Sequence, residues 1–319
     1  NRVWKVFGSS LERGGNMKIR VQILLSTYNG EKFLEEQLES ILNQKGDFSL
    51  KILVRDDGSQ DRTLEILEKY SKKIEMQIIR GENIGVNNSL RELFMNCDID
   101  CDYFAISDQD DVWLENKLQT AIESLSKNEN KLKMFASRSL VTDINMNVVG
   151  KTQDPGNRLS YYNAMVQNVC PGHTQVFNKD VILKLRQNYS ENIFVIDWWI
   201  YLLVSSMGEI TFNRSCFVKH RQHGLNSAGY ELNFWKKLKK RIYFLNKYKK
   251  SPVSEQLNSF FEIYKDQMKD EYRIETEKFF NSQRNIIFRI KYILFSKVFR
   301  YGKFENLIFK LLYILGKYK

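Results

Sequence analysis

Proline is almost missing from this chain: three occur in 319 residues. That excludes Pro-rich linkers and extended spacers, so a domain boundary has to be read from charge and periodicity. Cysteine is scarce as well. Cys97, Cys101, Cys170 and Cys216 form no CxxC pair, and Cys97 with Cys101 lack the nearby histidine that a zinc site would want. They read as reduced thiols of a cytoplasmic protein. No apolar run approaches the ~20 residues that span a bilayer, and no signal-peptide pattern stands out. Residues 1–16 precede Met17 and match no later pattern; they are expected to be an extraneous or disordered leader outside the fold.

What is present is an ordinary globular composition, 43% hydrophobic and 13% aromatic, with a lopsided charge. Residues 1–230 hold 28 Lys+Arg against 29 Asp+Glu, whereas residues 231–319 hold 21 against 9. A near-neutral body with a basic tail implies an anionic partner for the tail.

From Lys18 onward, strand and helix patterns alternate. Val21–Ser26 reads as a buried strand, and Glu31–Leu42 has helical spacing at Phe33, Leu34, Leu38, Ile41 and Leu42. Lys51–Val54, Met76–Ile79 and Tyr103–Ser107 repeat the strand signal, separated by helices at Arg62–Tyr70 (with Asp61 as N-cap) and Ser89–Met95. Alternation of this kind predicts an α/β fold, a Rossmann-like, mostly parallel sheet flanked by helices. Ligands of such sheets bind beyond the carboxyl ends of the strands. Ser26-Thr27-Tyr28-Asn29, Asp56-Asp57 and Asp108–Asp111 each lie just past such an end, so three separate segments are expected on one rim. Further on, strands are expected near Met134–Ser137, Thr174–Phe177 and Cys216–His220, and helices near Lys179–Arg186, Trp198–Met207 and throughout the chain after Phe234.

Asp108-Gln109-Asp110-Asp111 is the sharpest feature. Three carboxylates within four residues repel one another by about 1 kcal/mol or more per close pair, and a divalent cation is a natural compensation. An exposed acidic turn is the plainer alternative. Asn83-x-Gly85 is by itself only a turn signal.

Taken in series, Ser-Thr-Tyr-Asn-Gly at 26–30, Asp-Asp-Gly-Ser-x-Asp at 56–61, Asn83-x-Gly85 and Ser-Asp-Gln-Asp-Asp-Val-Trp at 107–113 resemble the nucleotide-sugar half of family 2 glycosyltransferases of GT-A fold. With Asp197-Trp198-Trp199 and Arg221-Gln-His223-Gly224 downstream, the wording is similar to the rhamnosyltransferase-like subgroup, over roughly residues 18–230. The resemblance implies that Asp57 accepts from a pyrimidine imide, that Thr27 and Tyr28 shape the base pocket, that Ser26 and Asn29 belong to the nucleotide-sugar site, that Asn83 and Gly85 allow close backbone approach near the nucleotide, and that Asp108 faces the ribose. It implies that Asp110 and His223 hold Mn²⁺ or Mg²⁺, that Arg221 neutralises the diphosphate, and that Asp111 supports the metal or the acceptor loop.

Asp197 sits beside two tryptophans in an apolar stretch, where desolvation raises a carboxylate pKa and suits it to general-base work; the resemblance gives it the acceptor hydroxyl and an inverting attack. A helix N-cap is the structural alternative. Trp113, Trp198 and Trp199 are offered either as core or as sugar-stacking rings. Three departures from the subgroup concern the acceptor side: Ile196 stands where histidine is frequent, His220 where tyrosine is usual, and Pro171-Gly172-His173 replaces Thr-Gly-Cys.

The expected organisation is therefore a catalytic domain at 17–230, with a nucleotide-sugar half to about 130 and an acceptor half after it, and a basic amphipathic helical extension at 231–319. The extension mixes Lys/Arg with apolar residues, as in helices that lie at an anionic membrane surface. Segment 234–319 is expected to bind there, on the cytoplasmic face, and nucleic acid is not expected. The expected partners are a nucleotide-diphosphate sugar (dTDP-L-rhamnose first, a UDP-hexose second), a glycan or polyprenyl-linked glycan acceptor, and conceivably a second copy of the chain. A non-catalytic nucleotide-sugar-binding protein is the alternative class.

Overall fold

A computed structural model describes residues 18–223 and 251–319, apart from 128, 157, 158 and 191, together with 243 and 247. The expectations for residues 1–16, for Gly224 and for most of 234–250 lie outside the described residues.

The first half is built as the alternation requires: β1 (Ile19–Thr27), α1 (Leu34–Leu42), β2 (Phe48–Asp56), α2 (Thr63–Tyr70), β3 (Met76–Arg80), α3 (Val86–Asn96) and β4 (Tyr103–Ser107). The strands are parallel and ordered β3-β2-β1-β4. Successive β1 side chains alternate faces, and both faces are covered. Val21, Ile23 and Leu25 join α1, α2 and their neighbours in one core, whereas Leu24 joins α3 in the other. The N-cap position of α2 falls on Arg62 rather than Asp61, although Asp61 Oδ1 still accepts from Thr63 N at 3.0 Å.

The second half comprises β5 (Val112–Trp113), α4 (Lys117–Ser126), β6 (Lys133–Thr142), β7 (Val148–Lys151), α5 (Tyr161–Ala164), a 3-10 turn at Gly172–Thr174, β8 (Val176–Asn178), α6 (Lys179–Gln187), α7 (Ile196–Met207) and β9 (Glu209–Arg221). It extends the sheet as β4-β8-β6-β9-β5, with β7 paired to β6. Here direction is mixed: β8 runs against both β4 and β6, β5 runs against β9, and β6 and β9 are parallel. The β1–β4 half is thus wholly parallel, and the second half keeps one parallel pair, β6 with β9.

From residue 251 onward the chain forms the C-terminal helices α8 (Pro252–Tyr264), α9 (Asp270–Asn281), α10 (Ile286–Phe295) and α11 (Lys303–Ile314). Leu257, Phe260 and Tyr264 of α8 share one core with Tyr161 and Trp199, and the Trp199 ring meets Phe260 edge-on at 5.3 Å. Each such fully buried large side chain contributes roughly 1.5–3 kcal/mol relative to exposure, so α8 braces α7. α7 in turn carries Asp197 on its first turn.

Candidate active site

The rim forms where β1, β2 and β4 end. After Thr27 the chain turns sharply: Asn29 has φ 46°, a left-handed conformation that asparagine tolerates. The turn is pinned by Ser59 Oγ accepting from Asn29 N at 2.9 Å and by Asn29 Oδ1 accepting from Gln60 N at 2.8 Å. Gln109 spans the gap to β1, accepting from Tyr28 N at 2.8 Å and donating to the Tyr28 carbonyl at 3.0 Å. A Cβ on Gly30 would lie 2.4 Å from Gln109 Oε1, so this clasp requires glycine there. Ser26 Oγ pairs with Ser89 Oγ at 2.7 Å, tying β1 to α3.

Asp56 and Asp57 both turn inward. Asp56 accepts from Thr27 Oγ1 (2.9 Å), Ser59 N (3.0 Å) and Ser59 Oγ (2.6 Å). Asp57 is ion-paired with buried Arg55 and accepts from Ile84 N and Gly85 N, each at 2.9 Å. In this structure Asp57 therefore organises the Asn83–Gly85 turn at the start of α3, where Gly85 has φ 80° and Asn83 is exposed.

The acidic quartet divides by depth. Asp108 is half-exposed, with 45% of its side chain accessible. Asp110 is mostly covered, and its Oδ2 lies 2.8 Å from His223 Nε2. Asp111 is wholly buried: Oδ1 meets His220 Nδ1 at 2.9 Å and accepts from Arg221 N at 3.2 Å, while Oδ2 accepts no hydrogen bond among the described residues. These placements exclude the plain acidic-turn reading.

His173 fills the space between. Its Nδ1 lies 3.6 Å from Asp108 Oδ2 and 3.8 Å from Asp111 Oδ2, its Nε2 lies 2.8 Å from Ser139 Oγ, and its ring stacks on that of His220 at 4.4 Å and 8°. Lys117 is fully buried beneath, donating to the His173 carbonyl at 2.8 Å and lying over the Trp113 ring. Asp108, Asp111, His173 and His220 bring four ligand atoms within 4.8 Å of one another. The expected metal pair, Asp110 and His223, is thus joined by a second donor group. Ser139, Lys117, His173 and His220 were not singled out as site residues from the sequence. His173 and His220 lie at positions named above as departures from the resembling subgroup, and in the structure their rings stack on each other.

The electrostatics follow from burial and charge. Burial holds the Asp110 carboxyl above its usual range, reinforced by Asp108 and Asp111 and opposed by His223. For Asp108, burial pushes upward, but His173, His220 and Lys117 outweigh it and the net direction is down. His220 loses by burial and gains more from Asp111, which raises its pKa to about 9. Burial drives the Lys117 ammonium well below the ordinary lysine value against the pull of Asp111 and Asp108.

Asp197 reaches the cluster through the 3-10 turn. Its Oδ2 accepts from Gly172 N at 2.8 Å, next to His173, while Oδ1 is buried and without a hydrogen bond among the described residues. Burial, with a further push from Asp108, raises its pKa to about 6 against the amides of Gly172 and Trp198. A helix N-terminus favours a carboxylate by about 0.3–1 kcal/mol, less than the roughly 3 kcal/mol that such a shift represents. Burial wins, and the carboxylate is poised as a base near neutral pH.

Two expectations need correction. The three tryptophans do not face a sugar: Trp113, Trp198 and Trp199 are 3%, 8% and 0% exposed, and Trp198 Nε1 donates to the Ala164 carbonyl at 2.6 Å. Their large apolar area is needed in the core. Arg221 does not present itself to a diphosphate either. Its guanidinium is buried, ion-paired with Glu36, set over Phe33, and donating to the Asp110 carbonyl (3.0 Å) and the Ile144 carbonyl (2.7 Å). Arg221 holds the Asp110 main chain in place.

Comparison with known proteins agrees with this arrangement. The profile described as "Glycosyl transferase family 2" matches residues 22–185. A "dTDP-rhamnosyl transferase RfbG" of Shigella flexneri is 28% identical over 247 residues, covering 74% of this chain and 84% of that protein. An uncharacterized glycosyltransferase of Haemophilus influenzae is 28% identical over 258 residues, covering 71% and 75%. Among solved structures, S. aureus TarS 1–349 in complex with UDP-GlcNAc superposes with a TM-score of 0.54 at 16% identity, over 94% of this chain and 89% of that one. The fold is thus that of GT-A glycosyltransferases, as the motifs implied.

Proposed function

The chain belongs to glycosyl transferase family 2, and on that premise we propose that it is an inverting, metal-dependent enzyme that moves a sugar from a nucleotide-diphosphate donor onto a growing cell-surface glycan. Asp197 is the observation that carries the reading: a buried carboxylate with one oxygen unengaged and a pKa of about 6, one turn away from the acidic cluster. It takes the proton of the acceptor hydroxyl as that oxygen bonds to the anomeric carbon. The bond from that carbon to the diphosphate breaks on the opposite face, and the nucleotide diphosphate leaves with the electron pair.

The donor side rests on the rim. The Thr27–Asn29 turn and the Asn83–Gly85 turn, the latter fixed by Asp57, form the walls proposed for the base, with the remaining acceptor capacity of Asp57 available to an imide N–H. Half-exposed Asp108 is proposed to accept from the ribose. Asp110 and His223 offer a hard oxygen and an imidazole nitrogen side by side, a donor set that fits Mn²⁺ as well as Mg²⁺. The buried Asp111 oxygen without a hydrogen bond is a further acceptor that a cation would satisfy. A divalent ion held there supplies Lewis-acid stabilisation of the charge that develops on the leaving group.

L-Rhamnose from a dTDP-linked donor is the first candidate, supported by the Shigella flexneri relative named for that activity. A lipid-linked acceptor met at the inner face of a membrane completes the proposal. Among the described residues no helix is long and apolar enough to cross a membrane, so association would be peripheral. Nucleotide release measured over a panel of dTDP- and UDP-sugars, with Mn²⁺, Mg²⁺ or EDTA, tests the reading. Turnover confined to a UDP-hexose would replace the donor. Binding of every donor without turnover would make the chain a non-catalytic binder.

A further inference from the structure

The two last helices are amphipathic the wrong way round for a free surface. α10 and α11 meet through Tyr292, Ile293, Phe309 and Tyr313, which are buried, with Tyr292 and Tyr313 5.3 Å apart. Arg289 locks the pair, its Nε donating to the Ile314 carbonyl at 2.8 Å. Their opposite, outward sides should then be polar. Instead Ile287, Ile290 and Leu294, spaced i, i+3, i+7, line one and Leu307, Leu311 and Leu315, spaced i, i+4, i+8, line the other. Leu294 is 71% exposed and Leu315 66%. Two exposed helical stripes of large apolar side chains on one packed pair of helices are a feature of the kind that marks an interaction site.

The charge around the patch selects its partner. From Arg284 to Lys319 there are nine Lys/Arg and one acid, Glu305. Beside the stripes, α9 and α10 enclose a groove of about 530 Å³ lined by Lys278, Arg284 and Lys291, with Phe288 and Phe295 as apolar walls. The acid that also lines it, Glu275, is itself buried. None of these three cations makes an ion pair among the described residues. Apolar rows flanked by unpaired cations complement a surface that is apolar at depth and anionic at its edge.

We propose that the outward faces of α10 and α11 seat on an anionic phospholipid bilayer, with the two apolar rows in the headgroup–acyl boundary and Lys278, Arg284 and Lys291 on headgroup phosphates. This deepens the membrane part of the proposed function by assigning it to residues 278–315. The docking surface lies on helices that share one buried core with α8, which packs against the Asp197 helix.

The test is flotation of the full chain with vesicles of phosphatidylglycerol and phosphatidylcholine, against vesicles of phosphatidylcholine alone. The native chain is expected to float at least tenfold better with the anionic vesicles, and less well as salt is raised. Leu294→Asp with Leu311→Asp, and separately Arg284→Glu with Lys291→Glu, are each expected to lower binding at least tenfold while leaving the melting temperature and nucleotide release in solution unchanged. Native-like flotation of both double variants overturns the proposal. So does a native chain that elutes as a dimer, ignores vesicles, and becomes monomeric in the Leu294→Asp, Leu311→Asp variant, because the patch then belongs to a second copy. Flotation that survives in a protein turning over no donor would leave the docking face standing and sink the enzymatic reading instead.

Discussion

The carboxylate of Asp197 is held by one oxygen only: Oδ2 accepts from Gly172 N at 2.8 Å, and Oδ1 lies buried with no hydrogen bond. Because the adjoining residue of that turn is His173, Asp197, proposed as the base, and the acidic cluster share one support. Asp197→Asn keeps the shape and the Gly172 contact but cannot take a proton. Transfer is expected to fall by roughly 10²–10⁴-fold, with donor affinity unchanged by calorimetry. In the native enzyme kcat should fall on the acid side with an apparent pKa near 6, and this limb should vanish in the variant.

The same shift has a stability consequence of definite sign. The folded pKa lies above the ordinary aspartate value, so the folded state holds this proton more tightly than the unfolded chain does. The stabilisation is complete below about pH 4 and is lost as pH rises through about 6. At pH 8 the charged carboxylate costs on the order of 2–3 kcal/mol. Asp197→Asn should therefore melt several degrees above the native protein at pH 8 and close to it at pH 4, by differential scanning calorimetry. Equal melting differences at both pH values would contradict the burial argument.

His220 supplies the complementary case. Asp111 raises its pKa to about 9, above the unfolded value, so the contribution is present below about pH 6.5 and lost as pH rises through 9. In metal-free protein, thermal stability should decline between pH 7 and pH 9.5. His220→Phe should flatten that slope and cost about 1–3 kcal/mol at pH 7, since Asp111 would keep a buried oxygen without its partner. A slope that persists in His220→Phe would place the titrating group elsewhere.

The difference between what the chain announced and what it concealed is physical. The β1–β4 half was legible because β1, β2 and β4 each carry a buried apolar stretch, Ile23–Leu25, Ile52–Val54 and Phe104–Ile106, that runs into polar residues at the strand's end. α4 had a readable signal, Leu118, Ala121, Ile122 and Leu125 on one side, that was not picked out behind the acidic quartet. β8 is three residues long, and no periodicity encodes that it runs against both neighbours. At the site, the structure brings Asp110 beside His223, a pairing across 113 residues that the motifs alone could suggest only through resemblance. The tryptophans stood open between core and sugar, and Arg221 was expected at a diphosphate, because the same side chains serve a core or a ligand equally well; only Glu36, Ile144 and Ala164, distant in sequence, decide between the two. Lys117 was invisible: nothing local distinguishes a surface lysine from one buried over Trp113.

Asp57 makes a prediction about the donor alone. Its oxygens accept from Ile84 N and Gly85 N, so Asp57→Ala frees a turn that bears on the proposed base pocket. The KM for donor should rise at least tenfold with a smaller change in kcat, and Gly85→Ala, strained by roughly 1–2 kcal/mol at φ 80°, should move KM in the same direction. A fall in kcat alone, at unchanged KM, would detach this turn from the nucleotide.

Metal dependence separates the two donor groups that the structure brings together. Asp110 and His223 touch through 2.8 Å, whereas Asp108, Asp111, His173 and His220 form a second set whose ligand atoms lie within 4.8 Å of one another. If the ion that serves the leaving group sits on the first pair, Asp110→Ala should lower transfer by roughly 10²-fold or more, the scale of losing one group that stabilises developing charge, and His223→Gln by less. His173→Asn should then leave the concentration of Mn²⁺ needed for half-maximal activity within about threefold of native. Titration of Mn²⁺ into EDTA-treated enzyme, followed by nucleotide release, reads this directly. A large rise in required Mn²⁺ for His173→Asn, with Asp110→Ala little affected, would move the ion onto the stacked histidines and make the Asp110–His223 pair a structural contact.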